Sequence, residues 1–328
     1  MPDSGAEEAV ERNVCEAEPE RCDAAGQEID RETGTLSQNG TEDPVRPGCL
    51  YLCATPIGNL GDMTPRAVSV LQAVDLIAAE DTRNSIKLLN HFDIHTPMTS
   101  YHEYNKYEKA EALVRTLQAG KSVALITDAG TPCISDPGEV LVEQCAAAGI
   151  EITSLPGACA VITALTLSAL PTRRFVFEGF LPPVKQKRER AEVLERLKNE
   201  TRSIVLYEAP HHLQQTLLEL SKVLGCERRI SLCREMTKRY EEVIRTTLGE
   251  AAELAPRGEY VLVIAGRDAA SLQAERQQAF QALSLEEHVQ QYLDAGLDRK
   301  AAMKAAAKDR GLSRRDVYQA LEADRRMS

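Results

Sequence analysis

Short apolar runs separated by helical patterns dominate the first half of the chain. Four of these runs predict buried strands, at 49–54, 74–79, 122–127 and 152–155. Between the second and third runs, apolar residues at helical spacing indicate a helix over 106–119. Strands that alternate with helices of this size predict parallel pairing and a doubly wound sheet. Such sheets bind ligands beyond the carboxyl ends of their strands, so we expect the functional site there.

The second half repeats the α/β pattern once and then becomes helical. Its predicted strands lie at 175–178, 203–207, 230–234 and 260–265, and its last predicted helices at 285–295, 299–310 and 313–325. We therefore predict an α/β protein with a first domain over 48–170 and a second over 171–267. A small C-terminal helical bundle over 283–328 follows them.

The N-terminal segment 1–47 has a different composition from the rest of the chain. It holds 13 acidic and 4 basic residues, a net charge of -9 out of the chain's total of -11. An acidic segment with few periodic apolar residues does not bury enough surface to fold, so we expect a disordered tail. The remaining residues carry only -2, which leaves nucleic-acid binding open.

Cysteine usage and hydropathy indicate a cytoplasmic protein. The nine cysteines include no C-x-x-C pair, and no partners for a zinc site lie near Cys49 and Cys53. We interpret them as reduced thiols and expect no metal. The chain has no apolar run long enough to cross a membrane and no secretory signal pattern, so we expect no membrane association.

Four polar loops follow predicted strands and carry most of the chemical information. They read TPIGNLG at 55–61, TDAGTPCISDPG at 127–138, LPGACA at 155–160 and LYEAPHHL at 206–213. Glycine and proline allow the backbone of such loops to approach a ligand closely. The first loop is also typical of an ordinary turn, whereas the density of Asp, Gly and Pro in the second favours a binding loop.

With these loops, an ordered set of segments over 50–266 makes the sequence resemble the RsmI family of the tetrapyrrole-methylase superfamily. The other matching segments read AAEDTR, LPGACAVITAL, FEGFLP, CREMTKRYEE and GEYVLVIAG. The resemblance implies the two-domain tetrapyrrole-methylase fold, S-adenosylmethionine as cofactor and a homodimer. It also implies methyl transfer to the ribose 2'-hydroxyl of a cytidine in small-subunit (16S) ribosomal RNA, with that RNA or the ribosomal subunit as partner.

The resemblance also indicates which residues contact the cofactor. Asp128 follows a strand, where its carboxylate can complement a positive charge, and the peptide groups of Gly130 and Thr131 can meet the adenosine or methionine part. The full set of expected cofactor contacts is Pro56, Gly58, Asp128, Gly130, Thr131, Pro132, Cys159, Ala160 and Tyr207. Two positions depart from the family pattern, since Cys159 replaces a serine and His212 an arginine.

Ribose methylation needs a group that takes the proton of the hydroxyl, and several side chains are candidates. The catalytic candidates are Glu208, His211 and Glu235, followed by Glu80 and Asp81. Each has an alternative. Glu80 and Asp81 can cap the next helix, Glu235 can form a helical surface pair with Lys238, and His211 can be a hydrogen-bonded core residue.

Two basic stretches are candidates for holding RNA. Residues 182–202 hold seven bases and four acids, and residues 296–328 hold nine bases and five acids. Lysines 300, 304 and 308 recur every four residues along one helical stripe. Either stretch can also be a solvated surface. Tyrosines 101, 104, 107 and 240 are available for base stacking.

Two other functions fit parts of the pattern. The first is methylation of a tetrapyrrole or another small molecule on the same fold, which would not need the basic stretches. The second is a non-catalytic RNA-binding adaptor that has kept the fold. Cofactor affinity and the nature of the methyl acceptor distinguish the three.

Overall fold

A fully parallel five-stranded sheet forms the first half of the chain. The computed structural model describes residues 45–254, 258–281 and 283–327. The strands are β1 (Leu50–Cys53), β2 (Leu76–Ala79), β3 (Met98–Ser100), β4 (Val123–Ile126) and β5 (Ile152–Leu155), in the order β3-β2-β4-β1-β5. All four neighbouring pairs are parallel, which confirms the predicted pairing. The expected disordered tail lies almost wholly outside the described residues and stays a prediction.

Helices connect these strands and cover the sheet. They are α1 (Pro65–Ala73), α2 (Thr82–His91), α3 (Lys106–Gln118), α4 (Gly138–Ala147) and α5 (Ala160–Leu167). The Thr64 hydroxyl accepts from the Ala67 N–H at 3.2 Å and Pro65 occupies the first helical turn, as the sequence predicts. Asp81 caps α2 by accepting from the Arg83 N–H at 2.9 Å. One of the two acids considered as helix caps therefore has that role.

The second sheet also has five strands, but it is mixed. It consists of β6 (Phe175–Phe180), β7 (Ser203–Glu208), β8 (Arg229–Arg234), β9 (Glu242–Thr247) and β10 (Tyr260–Ile264), in the order β6-β7-β10-β8-β9. Only β6 and β7 pair in parallel, and the other three pairs are antiparallel. Its helices are α6 (Lys187–Lys198), α7 (Leu213–Leu224) and α8 (Leu248–Ala251). A core of leucine and isoleucine side chains lies between these helices and the sheet.

Four helices follow the second sheet. They are α9 (Ala269–Gln281), α10 (Leu285–Asp294), α11 (Arg299–Arg310) and α12 (Arg314–Met327), so the three predicted helices are present and α9 is an addition. Val289, Met303, Ala306 and Val317 lie in a small core shared by the last three. No helix in the described part of the chain is long and apolar enough to span a membrane.

Helix α5 joins the two sheets. Val161, Ala164 and Leu165 pack against Val205 and Cys233 on the inner face of the second sheet. This contact places the carboxyl ends of the parallel strands opposite the end of β7 and the start of β10. Residues from Pro47 onward form one compact unit, and the domain boundaries at 170–171 and 267 stay predictions.

Candidate functional site

A cavity of about 510 Å³ opens where the carboxyl ends of the parallel strands face the second sheet. Its walls carry six acids and one lysine: Glu80, Asp128, Asp136, Glu208, Glu235, Glu259 and Lys238. The site therefore lies where the strand pattern places it. Its excess of acids favours a ligand that carries positive charge near its reacting centre.

The loop 127–138 forms one wall of the cavity. Hydrogen bonds from its first two residues, Thr127 and Asp128, fix the start of this loop. The Thr127 hydroxyl donates to Glu80 Oε2 at 2.7 Å, and the Asp128 N–H reaches the same oxygen at 3.4 Å. The Asp128 carboxylate accepts from the Asp81 N–H at 3.2 Å and from Asn84 Nδ2 at 3.1 Å. Asp128 is thus held in place by the start of α2 while it lines the cavity.

Gly130 makes a backbone bridge that the sequence does not reveal. The Thr55 N–H donates to the Gly130 carbonyl at 2.9 Å, and the Gly130 N–H donates to the Thr55 carbonyl at 3.0 Å. The Gly130 N–H is therefore occupied by the first loop rather than free for a cofactor. The Thr131 hydroxyl is likewise engaged, since it donates to the Ala158 carbonyl at 2.9 Å. Both residues still line the cavity.

Asp136 and Glu259 are cavity acids that the sequence analysis did not single out. Asp136 is the more distinctive of the two. Burial, with a contribution from the nearby Glu80 charge, raises the pKa of its carboxyl above the ordinary value. Its Oδ1 accepts from the Gly138 N–H at 2.7 Å, and this bond, together with the Cys133 and Ile134 N–H groups, partly opposes the rise in the pKa. The segment containing Asp136 was visible in the sequence. Its proximity to Glu80, which raises the pKa, depends on the fold.

Tyr207 and Glu208, at the end of β7, form the opposite wall. Burial raises the pKa of Tyr207 to about 12, and its ring packs edge-on against Phe177 at 5.0 Å between centroids. Glu208 is buried, and its Oε1 accepts from the Ala209 N–H at 2.9 Å. Both predicted site residues therefore face the cavity.

Glu235 belongs to an ion-pair cluster at the cavity wall. Lys238 Nζ lies 2.8 Å from Glu259 Oε2 and 3.4 Å from Glu235 Oε2, and Glu235 Oε1 accepts from the Glu259 N–H at 2.9 Å. The Glu259 N–H and the Lys238 charge hold the pKa of Glu235 below its ordinary value. The predicted pair of Glu235 with Lys238 is present. Residues 235–241 form turns, however, so the prediction that the pair lies on a helix is wrong.

Backbone strain is concentrated in the two loops around the cavity. Of six non-glycine residues with positive φ in the described chain, Cys133 and Ser135 lie in one loop, and Glu235 and Thr237 in the other. Such conformations cost free energy and persist where the surrounding structure enforces them, often at functional sites. The strain therefore supports these loops as the working part of the molecule.

Four predicted site residues lie outside the cavity lining: Pro56, Gly58, Pro132 and His211. A Cβ on Gly58 would lie 2.5 Å from Lys238 Cγ and 2.8 Å from Thr237 Oγ1, so its close backbone approach is to the chain's own loop. The neighbouring Ile57 lines the cavity instead. His211 is exposed and packs against His212 at 4.1 Å between ring centroids, so the alternative of a buried core histidine is wrong.

Cys159 and Ala160 line the cavity at the start of α5. Cys159 is the N-cap residue of this helix, and its side chain makes no capping hydrogen bond. Serine is a strongly preferred N-cap because its hydroxyl accepts from a backbone N–H in the first turn. The replacement of serine by cysteine thus leaves the helix start without that bond.

The two basic stretches differ in how many of their charges are free. Most bases of 182–202 are ion-paired, through Arg188–Glu192, Arg190–Glu219, Arg196–Glu178, Lys198–Glu195 and Arg202–Glu200. Lys300, Lys304 and Lys308 are exposed along α11, and none has an ion pair with another described residue. More unpaired positive charge is therefore available to a polyanion on the lysine stripe of α11 than on 182–202, where only Lys185 and Lys187 have no ion pair with a described residue.

These features define a class of proteins. Residues 49–252 match the family model described as Tetrapyrrole (Corrin/Porphyrin) Methylases, and the chain belongs to this family. A diphthine synthase of known structure shares the fold, with a TM-score of 0.51 and 12% identity, and the match covers 66% of this chain and 90% of that one.

Within the family, the chain is similar to one particular group of relatives. It is 49% identical over 284 residues to ribosomal RNA small subunit methyltransferase I of Synechocystis sp., covering 84% of this chain and 99% of the relative. It is 46% identical over 276 residues to the protein of the same name from Halalkalibacterium halodurans, covering 83% of this chain and 93% of the relative. The resemblance to the RsmI family is thereby confirmed.

Proposed function

We propose that this chain transfers a methyl group from S-adenosylmethionine to small-subunit ribosomal RNA, at the 2'-hydroxyl of a cytidine. The observation that carries the proposal is the 49% identity to a ribosomal RNA small subunit methyltransferase over nearly all of that relative. The acid-rich cavity between the two sheets is the site where we place the reaction.

The cavity residues fit the proposed cofactor. Bound S-adenosylmethionine supplies a methyl group on a sulfonium, which is a cation before transfer and a neutral thioether after it. Six acids against one lysine complement that positive charge. Asp128 is held by α2, and Cys159 and Ala160 present the start of α5. We retain these three residues as proposed cofactor contacts. In the first loop, we propose Ile57 as a contact instead of Pro56 and Gly58.

We assign the proton-accepting role to Asp136, with Glu208 as the other candidate. A general base works best when its pKa lies near the working pH, and burial moves the pKa of Asp136 in that direction. The pKa of Glu235 is shifted the opposite way by Lys238 and the Glu259 N–H, so we assign Glu235 to holding Lys238 in place. We propose no role in proton transfer for His211, which lies outside the cavity lining.

Substrate binding is assigned to the lysine stripe of α11. Lys300, Lys304 and Lys308 lie on one side of the helix. The row is about 12 Å long, because the helix rises ~1.5 Å per residue over eight residues. Phosphates along an RNA strand attract such a row, and the interaction weakens as salt is added. We further propose that the protein acts in the cytoplasm as a homodimer, and light scattering of the purified protein tests the dimer.

The experiment offers three acceptors in parallel, with methyl-labelled cofactor. The acceptors are small ribosomal subunits, free 16S ribosomal RNA and a porphyrinoid. Label in the subunits or in the RNA supports the proposal. Label only in the porphyrinoid would replace it by small-molecule methylation. Transfer to none of the acceptors together with no measurable cofactor affinity would favour a non-catalytic adaptor.

A further inference from the structure

A second cavity of about 430 Å³ opens beside the first, at the carboxyl ends of β2 and β3. Its lining residues are Glu80, Asp81, Thr82, Arg83, Ser100, His102, Glu103 and Tyr104. Glu80 lines both cavities, so a group bound in the second lies next to the proposed methyl-transfer site.

Tyr104 gives this cavity an aromatic wall that the described residues leave uncovered. Its side chain is 97% exposed, and its only recorded ring contact within the described chain is with His102, edge-on at 6.1 Å between centroids. Unstacked RNA bases bind to exposed aromatic rings of this kind. Tyr101, which the sequence also offered for stacking, is buried and donates to the Pro137 carbonyl at 2.9 Å instead.

The turn that carries Tyr104 is fixed by hydrogen bonds. Asn105 Oδ1 accepts from the His102 N–H at 2.8 Å, and the Asn105 N–H donates to the His102 carbonyl at 3.0 Å. Lys106 Nζ pairs with Glu103 at 2.7 Å. The bond from Tyr101 to Pro137 ties the same turn to the loop 127–138. A stacking platform on a fixed turn loses little conformational entropy when a base binds.

The remaining walls offer groups suited to a nucleotide. Arg83 is 88% exposed and binds Asp81 through Nε and Nη2, which leaves its Nη1 as a donor for a phosphate. The recorded hydrogen bonds to the Glu80 side chain both use Oε2, and Oε1 can accept from the amino group of a base.

We propose that this second cavity binds a nucleobase of the RNA substrate, stacked on Tyr104 beside the methyl acceptor. The proposal rests on the proposed function and adds the subsite that positions the RNA. It predicts that Tyr104 contributes to substrate affinity and has no part in cofactor binding or proton transfer.

The test compares Tyr104→Ala with Tyr104→Phe, which keeps the ring. Tyr107→Ala is the matched control, because Tyr107 is 67% exposed nearby but does not line the cavity. Methylation of small ribosomal subunits gives KM and kcat, and calorimetry with S-adenosylhomocysteine gives the cofactor-site affinity. We expect Tyr104→Ala to raise KM at least about fivefold, the lower end of what base–aromatic stacking provides. Tyr104→Phe and Tyr107→Ala should keep the parent KM.

The outcomes separate this proposal from the function on which it rests. An unchanged KM in Tyr104→Ala, while the parent enzyme methylates the subunits, would overturn the subsite and leave the function standing. Loss of S-adenosylhomocysteine affinity in the same variant would also overturn it, because Tyr104 would then support the cofactor cavity. If the parent protein leaves the subunits unmethylated, the proposed function fails and the subsite fails with it.

Discussion

At the scale of single residues, the carboxylates of the cavity differ in the partners that surround them. Asp128 is held by the start of α2, Glu235 is bound to Lys238, and Asp136 is half-buried and accepts from the Gly138 N–H. We propose that these three carboxylates serve charge complementation, ion pairing and proton acceptance, respectively. Residue type alone does not distinguish these roles, because the pKa of each group depends on neighbours from other elements.

Replacement of Asp136 by asparagine should remove the proposed base while keeping a side chain of the same size. The asparagine oxygen can still accept from the Gly138 N–H, while the group that takes the proton is gone. We expect kcat to fall by about 10²–10⁴-fold, with S-adenosylhomocysteine affinity close to the parent value. Steady-state methylation and calorimetry measure the two effects.

The pH dependence of kcat in the parent protein and in Asp136→Asn is a second test of the proposed base. The proton-accepting form is the carboxylate, so the parent kcat should fall as the pH drops through the raised pKa of Asp136. Because a raised pKa means that the folded protein favours the protonated acid, Asp136→Asn should not lower the melting temperature at neutral pH. An unchanged kcat and an unchanged pH profile in Asp136→Asn would move the base to Glu208.

Restoring serine at Cys159 should stabilise α5. A serine hydroxyl at the N-cap can accept from a backbone N–H that Cys159 leaves without a side-chain partner. We expect the free energy of unfolding to rise by about 0.5–1 kcal/mol, the ordinary range for an N-cap hydrogen bond. Denaturant unfolding measures it, with Cys226→Ser as the control at an exposed loop cysteine. An equal change in both variants would contradict a capping effect.

At the scale of elements, most strands that the sequence predicts are buried, and only β5 and β6 among them are largely half-buried. Strands β1 and β4 are buried at every position, and an uninterrupted apolar run is the pattern of a parallel central strand. β3 is only three half-buried residues long, and β9 is a mixed polar strand at the sheet edge, so neither carries that pattern. The sequence analysis did not predict helix α9, because its apolar residues do not recur on one face of the helix.

The sequence predicts the loops of the candidate site but not the contacts between them. The loops were visible because glycine, proline and aspartate follow the strands, and Asp128, Tyr207 and Glu208 line the cavity as expected. The bridge between Thr55 and Gly130 and the approach of Glu80 to Asp136 join residues far apart in the chain. Such pairs depend on the fold, and the local sequence carries no signal for them.

Helix α11 allows a test of where the RNA is held. Changing Lys300, Lys304 and Lys308 together to glutamine should weaken RNA binding and lower the salt slope by about 2, since each phosphate contact on single strands contributes ~0.7. The control changes Arg188, Arg196 and Lys198 of α6 to glutamine, which removes the same net charge from ion-paired positions. Binding at two salt concentrations measures both triples. Equal losses would show that only the overall charge matters.

At the scale of the whole molecule, the function depends on the two sheets facing each other. The parallel sheet supplies Asp128 and Asp136, and the mixed sheet supplies Tyr207 and Glu208 across the cavity. Helix α5 follows β5, the last strand of the parallel sheet, and packs on the mixed sheet. This packing holds the two sides of the cavity together. The bundle then adds cationic surface to a molecule whose cavity is acidic. In the proposed function, the two sheets hold the cofactor and the acceptor hydroxyl, and the bundle binds the RNA.

The most direct measurement is the identity of the methylated nucleoside. Small ribosomal subunits are methylated by the purified protein, their RNA is digested to nucleosides, and the products are analysed by mass spectrometry. We predict a cytidine whose methyl group stays with the sugar fragment and whose 3' linkage resists alkaline cleavage. A methyl group found on a base would contradict the ribose assignment, and unmethylated RNA alongside a methylated porphyrinoid would contradict the proposed function.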